Sequence, residues 1–259
     1  FHHTVARQRQ VKVDPRSPKY RGFTSSLTSF QSRLAWHCHF MQRLEAEATM
    51  DEIAINPELD ELLNRKLDQR KFIAWQDGKT GWPFFDACMR YLSATGWINF
   101  RMRAMLQSVA SYTLWLPWQA TGSHLANLFM DYEPGIHWSQ VQMQSGVTGI
   151  NSVRAYSVGK QSTDHDPEGD FIRQWVPELA AVPTEHIHEP WLMSNTEQEQ
   201  YNCRIDIDYP APIVDEKAAR KDGISKSYKA KSDAGVRRRA KIVFDIHGSR
   251  SRQSGRSKN

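Results

Sequence analysis

Three cysteines in 259 residues, Cys38, Cys88 and Cys203, are too few and too widely spaced for a disulfide framework. They also exclude a four-cysteine iron–sulfur cluster and fit a reducing, cytoplasmic setting. No apolar run reaches the length of a membrane-spanning helix, so no membrane partner is expected, and no stretch reads as a signal peptide. Strand-length alternation of apolar and polar residues is missing, as is any internal repeat, which leaves an all-α fold. Metal-ligand spacing is missing too. His37, Cys38 and His39 are adjacent, and alternate residues of a helix face different ways. His165, His186 and His188 do not have zinc spacing, so no metal is expected. The first residue is Phe1 rather than Met, and the chain is expected to be a fragment.

Positive charge is plentiful but unevenly placed. Residues 217–259 hold fourteen Lys or Arg against three Asp, a net +11, which leaves residues 1–216 at −6 within the overall +5. That gives three expected parts. Residues 1–27 form a polar leading segment broken by Pro15 and Pro18. Residues 28–216 form a helical domain long enough to bury a core. Residues 217–259 form a basic tail with the composition of a disordered segment, in which Arg237–Arg239 and Lys241 would attract phosphates.

Within the middle part, 28–48 reads as a helix with Leu34, Ala35, Cys38 and Met41 on one side. Asn56 to Arg70 reads as a charged helix or helix pair. Gly78 and Gly81 mark a turn, Pro83 suits the first turn of the next helix, and Gly96 suits its stop. The helix over about 98–116 carries Asn99, Arg103 and Gln107 at four-residue steps, a polar row that faces water or lines a polar pocket. A shorter helix is expected over 121–131, then a long Gln-rich loop over 131–151 of the kind that often carries function. Residues 164–191 read as a short helix bracketed by prolines. Nine tryptophans are many for this length, and Trp75, Trp97 and Trp175 are expected in the core.

Four blocks stand out in order. They are Trp75-Gln-Asp-Gly-Lys-Thr-Gly-Trp-Pro83 with Asp86, Met89 and Arg90; Ala94-Thr-Gly-Trp97 with Arg101 and Arg103; Leu116-Pro-Trp118 with Asp131; and Asp166-Pro-Glu-Gly169 through Phe171–Leu179, Pro183-Thr184 and His188-Glu-Pro-Trp191 to Tyr209-Pro-Ala-Pro-Ile-Val214. Across about 30–214 the chain resembles the photolyase/cryptochrome family. The resemblance implies a multi-helical FAD-binding domain in which the cofactor does the photochemistry and the protein positions and tunes it.

By that resemblance Asp131 matches a carboxylate near the flavin and Arg103 an arginine that stabilises negative charge on the reduced ring. Tyr132, Glu133, Arg33 and His37 are further cofactor-binding candidates. His137 lies near the position facing flavin N5, or is a loop histidine with no cofactor role. Trp118 and Trp138 match the middle and inner members of an electron-transfer chain. The outer position falls near Arg65, leaving Trp115 or another aromatic to substitute. Trp36, Arg101, Asn99 and Phe100 match the substrate cavity, where a flipped DNA lesion would stack.

Three departures from the family pattern accompany these matches. Arg33 stands where a Glu is expected, Phe100 stands where an Asn is expected, and Arg154-Ala-Tyr-Ser157 lacks the usual Asn-Pro. The family's Thr-Ser-x-Leu-Ser phosphate cradle is expected to be absent, because Thr24–Thr28 lies too close to Trp36 to serve. The resemblance implies a light-driven DNA photolyase acting on pyrimidine photoproducts in damaged DNA. Its alternatives are a cryptochrome-like photoreceptor signalling through a protein partner, or a truncated chain that holds no cofactor.

Overall fold

The computed structural model describes residues 5–6 and 23–247. Its helices are α1 (Phe23–Ala46), α2 (Pro57–Leu63), α3 (Gln69–Gln76), α4 (Pro83–Thr95), α5 (Phe100–Ser108), α6 (Trp118–Leu128), α7 (Pro134–Ser145), α8 (Val158–His165), α9 (Asp170–Trp175), α10 (Thr184–Ile187), α11 (Asn195–Gln200), α12 (Glu216–Lys231) and α13 (Ala234–His247). A π-helical turn, Val109–Thr113, continues α5. Among the described residues there is no strand, only an isolated bridge between Ile205 and Tyr209. No described helix is long and apolar enough to cross a membrane.

The chain divides into two units. The described part of one is α1 with Pro134–Ile136, where Gly135 lies against Phe40 and Met41. Its α1 begins five residues earlier than the sequence suggests, and the Thr24–Thr28 stretch is helical. The expected apolar stripe is only partly covered, with Ala35 and Cys38 exposed.

The other unit holds the main core. Trp75, Phe85, Met89, Leu92, Met105, Leu106, Ile172, Val176, Leu179 and Tyr209 are all buried there. The breaks between helices follow local chemistry. Asn56 and Asp68 cap α2 and α3 by accepting from Leu59 N at 3.2 Å and Lys71 N at 3.1 Å. Pro83 opens α4, and Gly96 closes it in the left-handed conformation at φ 69°.

Asp86 knots the core together. Its carboxylate accepts from Thr80 N at 2.9 Å, Thr80 Oγ1 at 2.6 Å, Gly81 N at 3.0 Å and Tyr209 Oη at 2.5 Å. Thr80 O in turn accepts from Ile213 N at 2.9 Å. The first and fourth sequence blocks therefore meet here. Gly81 sits at φ 81°, and a side chain there would collide with the Ala211 carbonyl.

Three sequence expectations change. The loop over 131–151 is largely helix α7, because Gly135 lets the chain pass Phe40 closely and the Gln residues face inward. The helix over 98–116 is α5 and then the π-turn, which ends at Thr113, two residues before Trp115 at φ 59°. The basic tail is ordered through two helices to His247. Gly223, Ser227, Val236 and Val243 form its buried seat, while Lys231 and Arg239 reach back to donate to Asn151 O and Ile55 O. The i,i+4 ion pairs Glu216–Arg220 (2.8 Å), which is partly buried, and Asp222–Lys226 (2.6 Å), which is exposed, support the first of these helices. Asn56 Nδ2 donates to Val236 O at 3.2 Å, which ties the second of these helices to the body. Residues 248–259 of that expected tail, and 1–4 and 7–22 of the leading segment, lie outside the described residues. Trp75 is buried as expected, but Trp97 is 48% exposed.

Two predictions follow from this packing. A side chain at Gly223 would overlap the Tyr112 carbonyl, so Gly223→Ala should cost about 1–3 kcal/mol and expose the α12 amides to hydrogen exchange. Burial raises the Asp86 carboxyl from 3.8 to about 6, against the lowering effect of the Thr80 and Tyr209 hydrogen bonds. Between those values the folded state binds a proton that the unfolded chain has released. Stability on this account falls as pH rises through the window, by on the order of 3 kcal/mol. Denaturant unfolding at pH 4 and pH 7 checks this: wild type should lose that stability relative to Asp86→Asn, and parallel profiles contradict it.

Candidate functional site

Arg103 leaves α5 and meets Asp131, just past the end of α6, in a fork. Nη1 donates to Oδ1 and Nη2 to Oδ2, each at 2.9 Å. Nε donates to Ile98 O at 2.7 Å, and the Phe129 ring lies 4.3 Å from the guanidinium carbon. The orientation of the cation is thereby fixed on three sides. The pair is not buried, with side chains 23% and 51% exposed. An ion pair that open contributes only about 0–1 kcal/mol to folding. Three of the five guanidinium N–H groups are engaged, which leaves two for a ligand. Trp97, Phe100, Met130 and Tyr132 carry exposed apolar surface on the flanking segments.

His137, on α7, is buried. Its Nε2–H donates to Gly122 O at 2.9 Å, and its ring contacts Tyr132 at 5.2 Å and Trp138 at 4.9 Å between centroids. Burial, with a smaller push from the Arg103 charge, lowers its pKa from 6.5 to about 4. The imidazole is neutral at physiological pH, with Nε2 committed to the backbone. Glu133 O accepts from His137 N at 2.8 Å, opening α7.

Trp138 packs on Trp118 edge to face, with centroids 6.1 Å apart and planes at 75°. Trp138 Nε1 donates to Tyr132 Oη at 3.1 Å, and Trp118 Nε1 donates to Asp60 Oδ2 at 3.1 Å. The contact depends on Gly122, where a Cβ would lie 2.5 Å from the Trp138 ring. The structure thus brings together Arg103, Asp131, Tyr132, His137, Trp138 and Trp118. It gives Asn99 a different task, since its side chain caps α5 by accepting from Met102 N at 3.1 Å. The expected polar row on α5 also splits. Gln107 is buried among the hydroxyls of Ser111, Thr121 and Ser145.

Arg101 and Phe100 are exposed, the latter 61%. Trp36, Arg33 and His37 belong to the other unit, where all three are exposed on α1. Trp36 contacts His39 and Phe40 at 5.6 and 5.8 Å. Arg33 lines a cavity of about 650 Å³ with Ser25, Thr28, Ser29 and Ser32.

On α7, Ser139 Oγ, Gln140 Oε1 and Gln144 Oε1 are buried without a hydrogen-bond partner. Each such atom costs about 1–3 kcal/mol unless something supplies a donor. The spare N–H groups of Arg103 and the open aromatic surface beside it suit a ligand that carries both an aromatic face and negative charge. Sequence reasoning missed Asp60, which lies in the charged stretch Pro57–Leu63 without any motif, and Arg65, which it noticed only as a missing Trp. Among the described residues no group of three metal-ligating side chains occurs.

The all-helical architecture and this site define a cofactor-holding domain. Residues 30–229 match the family described as the FAD binding domain of DNA photolyase. The chain is 37% identical to a deoxyribodipyrimidine photo-lyase of Alkalihalophilus pseudofirmus over 165 residues, covering 63% of this chain and 34% of that protein. It is 39% identical over 155 residues to cryptochrome-2 of Arabidopsis thaliana, covering 59% of this chain and 25% of that protein. A solved Synechocystis cryptochrome shares the fold with a TM-score of 0.70 at 27% identity, over 82% of this chain and 43% of that one. The chain therefore belongs to the photolyase/cryptochrome family, and its cofactor is FAD. It spans about a third of the length of the curated relatives it matches.

The depressed His137 pKa carries a prediction. Below pH 6.5 the unfolded imidazole binds a proton that the folded one refuses, so stability is lost as pH falls from 6.5 toward 4, by on the order of 3 kcal/mol. NMR of the His ring should show His137 neutral at pH 5.5, and titration near 6.5 contradicts its burial.

Proposed function

We propose that this chain is the FAD-domain portion of a photolyase-type flavoprotein that repairs pyrimidine photoproducts in damaged DNA, driven by blue light. The observation that carries the reading is the forked Arg103–Asp131 pair, held rigid yet open, beside two indoles packed edge to face. Bound FAD supplies light absorption and the electron that splits the photoproduct. The residues of the chain supply the rest. Arg103, clamped by Asp131 and Phe129, holds a cation where negative charge develops on the ring. His137 stays neutral and adds no second charge beside it. Trp138 and Trp118 are close enough to pass an electron that restores the reduced cofactor. Exposed Trp36 offers a stacking face and Arg101 a cation for phosphate. The three thiols are free and fit a cytoplasmic setting.

A second reading, a cryptochrome-like photoreceptor signalling through a protein partner, draws on Arg33 and Phe100. A pyrimidine dimer is read through its polar base edges, and these positions offer a cation and a ring in place of a carboxylate and an amide.

Blue-light irradiation of the flavin-loaded chain with a dimer-containing oligonucleotide separates the two. Repair predicts light-dependent loss of dimers, with Trp36→Ala weakening lesion binding about tenfold through lost stacking. Intact dimers together with normal flavin photoreduction favour the photoreceptor.

A further inference from the structure

Gln107 lies one turn after Arg103 on α5 and is 2% exposed. Its Nε2 sits 3.1 Å from Ser111 Oγ in the π-turn, 2.9 Å from Thr121 Oγ1 on α6 and 3.0 Å from Ser145 Oγ at the end of α7. All three hydroxyl residues are wholly buried. One side-chain amide thus joins the elements that carry the site. Arg103 leaves α5, Asp131 follows α6, and His137 and Trp138 stand on α7.

The hydroxyls decide which way this amide faces. Thr121 has one O–H, and Pro117 O and Trp118 O share it, each at 3.3 Å. Toward Gln107 the Thr121 oxygen can only accept, so the amide nitrogen must face it. Ser111 Oγ donates to Ser145 Oγ at 2.9 Å, so it too accepts from the amide. Gln107 Oε1 is left buried without a partner. An unmet carbonyl in the core costs stability that an apolar side chain of the same size would not. Stability alone therefore does not account for the amide.

Its neighbours do. Thr121 adjoins Gly122, whose carbonyl accepts from His137 Nε2 at 2.9 Å and whose missing side chain admits the Trp138 ring. A shift of α6 at Thr121 moves the His137 partner and the Trp138 seat together.

We propose that Gln107 is a positioning residue of the flavin site. Through Thr121 and Ser145 it sets α6 and α7 against α5, and so holds Gly122 O, His137 and Trp138 in register with Arg103. This rests on the flavoprotein reading above.

FAD titration and His-ring NMR of the full chain test this with three variants. Gln107→Met keeps the volume and removes the donor. Its FAD affinity should fall about tenfold. In its flavin-free form the His137 ring should titrate nearer 6.5 than 4, because the carbonyl partner has shifted. Gln107→Glu supplies a switch. Its protonated carboxyl has an O–H for Thr121, whereas its ionised form has only acceptors, and burial raises the pKa of such a carboxyl. Relative to wild type at each pH, it should bind FAD equally well in acid and fall to the Gln107→Met level as pH rises. Gln161→Met is the control. Gln161 is also buried with an unpartnered Oε1, but stands on α8. That variant should lose stability and leave both readouts unchanged.

The outcomes are separable. A wild-type chain that takes up no flavin overturns the flavin reading and this proposal with it. Equal uptake by wild type and Gln107→Met overturns this proposal alone. So does a His137 titration that ignores the substitution, a Gln107→Glu affinity that tracks wild type at every pH, or an equal effect of Gln161→Met.

Discussion

Asp86 is fully buried, and its carboxylate is held by hydrogen bonds from Thr80, Gly81 and Tyr209, with the charge of Arg90 nearby. Those three partners come from the turn before α4 and from a segment more than a hundred residues later. The carboxylate therefore fixes how the end of the domain closes on its beginning. With that closure set, α4 presents Phe84 and Tyr91 to Phe171 and Trp175 of α9, and the long apolar core can form. Burying a carboxylate is costly, as its raised pKa shows. Four short hydrogen bonds offset much of the cost and leave a unique geometry.

On that frame the functional side chains sit in two electrostatic settings. At Arg103 the cation is clamped and partly open, which suits a ligand that gains negative charge. At Trp118 the carboxylate of Asp60 accepts from the indole, and Arg65 lines the same solvent-open cavity as Asp60. One helix pair, α5 with its π-turn and α6, supplies or supports most of these groups. Tyr112 in the π-turn and Trp115 just beyond it both lie against Arg65.

Much of the fold was legible from the sequence because its signals are local. Pro83 and Gly96 bound α4, and the Gly78–Gly81 turn stands where expected. The tail was misread because Lys and Arg dominate its composition. Its small residues at four-residue spacing, Ala219, Gly223 and Ser227, were the missed sign of a close-packed helix. The 131–151 segment was misread for a similar reason, since glutamines suggest a loop until the backbone and side chains they bond to are known. Gln142, for example, is held by Met50 O, Ile53 O and Ile55 N. In the site, Arg103, Asp131, Trp118 and Trp138 were legible from motifs. Asn99 was not, because an N-cap and a binding amide look alike in sequence. Asp60 and Arg65 gain their meaning only from contacts with distant residues.

The central claim is that the open Arg103–Asp131 fork belongs to a flavin site in this chain. Titration of the purified chain with FAD, followed by its visible spectrum and flavin fluorescence, tests it most directly. The account predicts saturable uptake with quenched fluorescence. It also predicts an affinity at least about tenfold weaker in Arg103→Ala, the loss expected for charge-assisted hydrogen bonds. No uptake, or equal uptake by the variant, contradicts it.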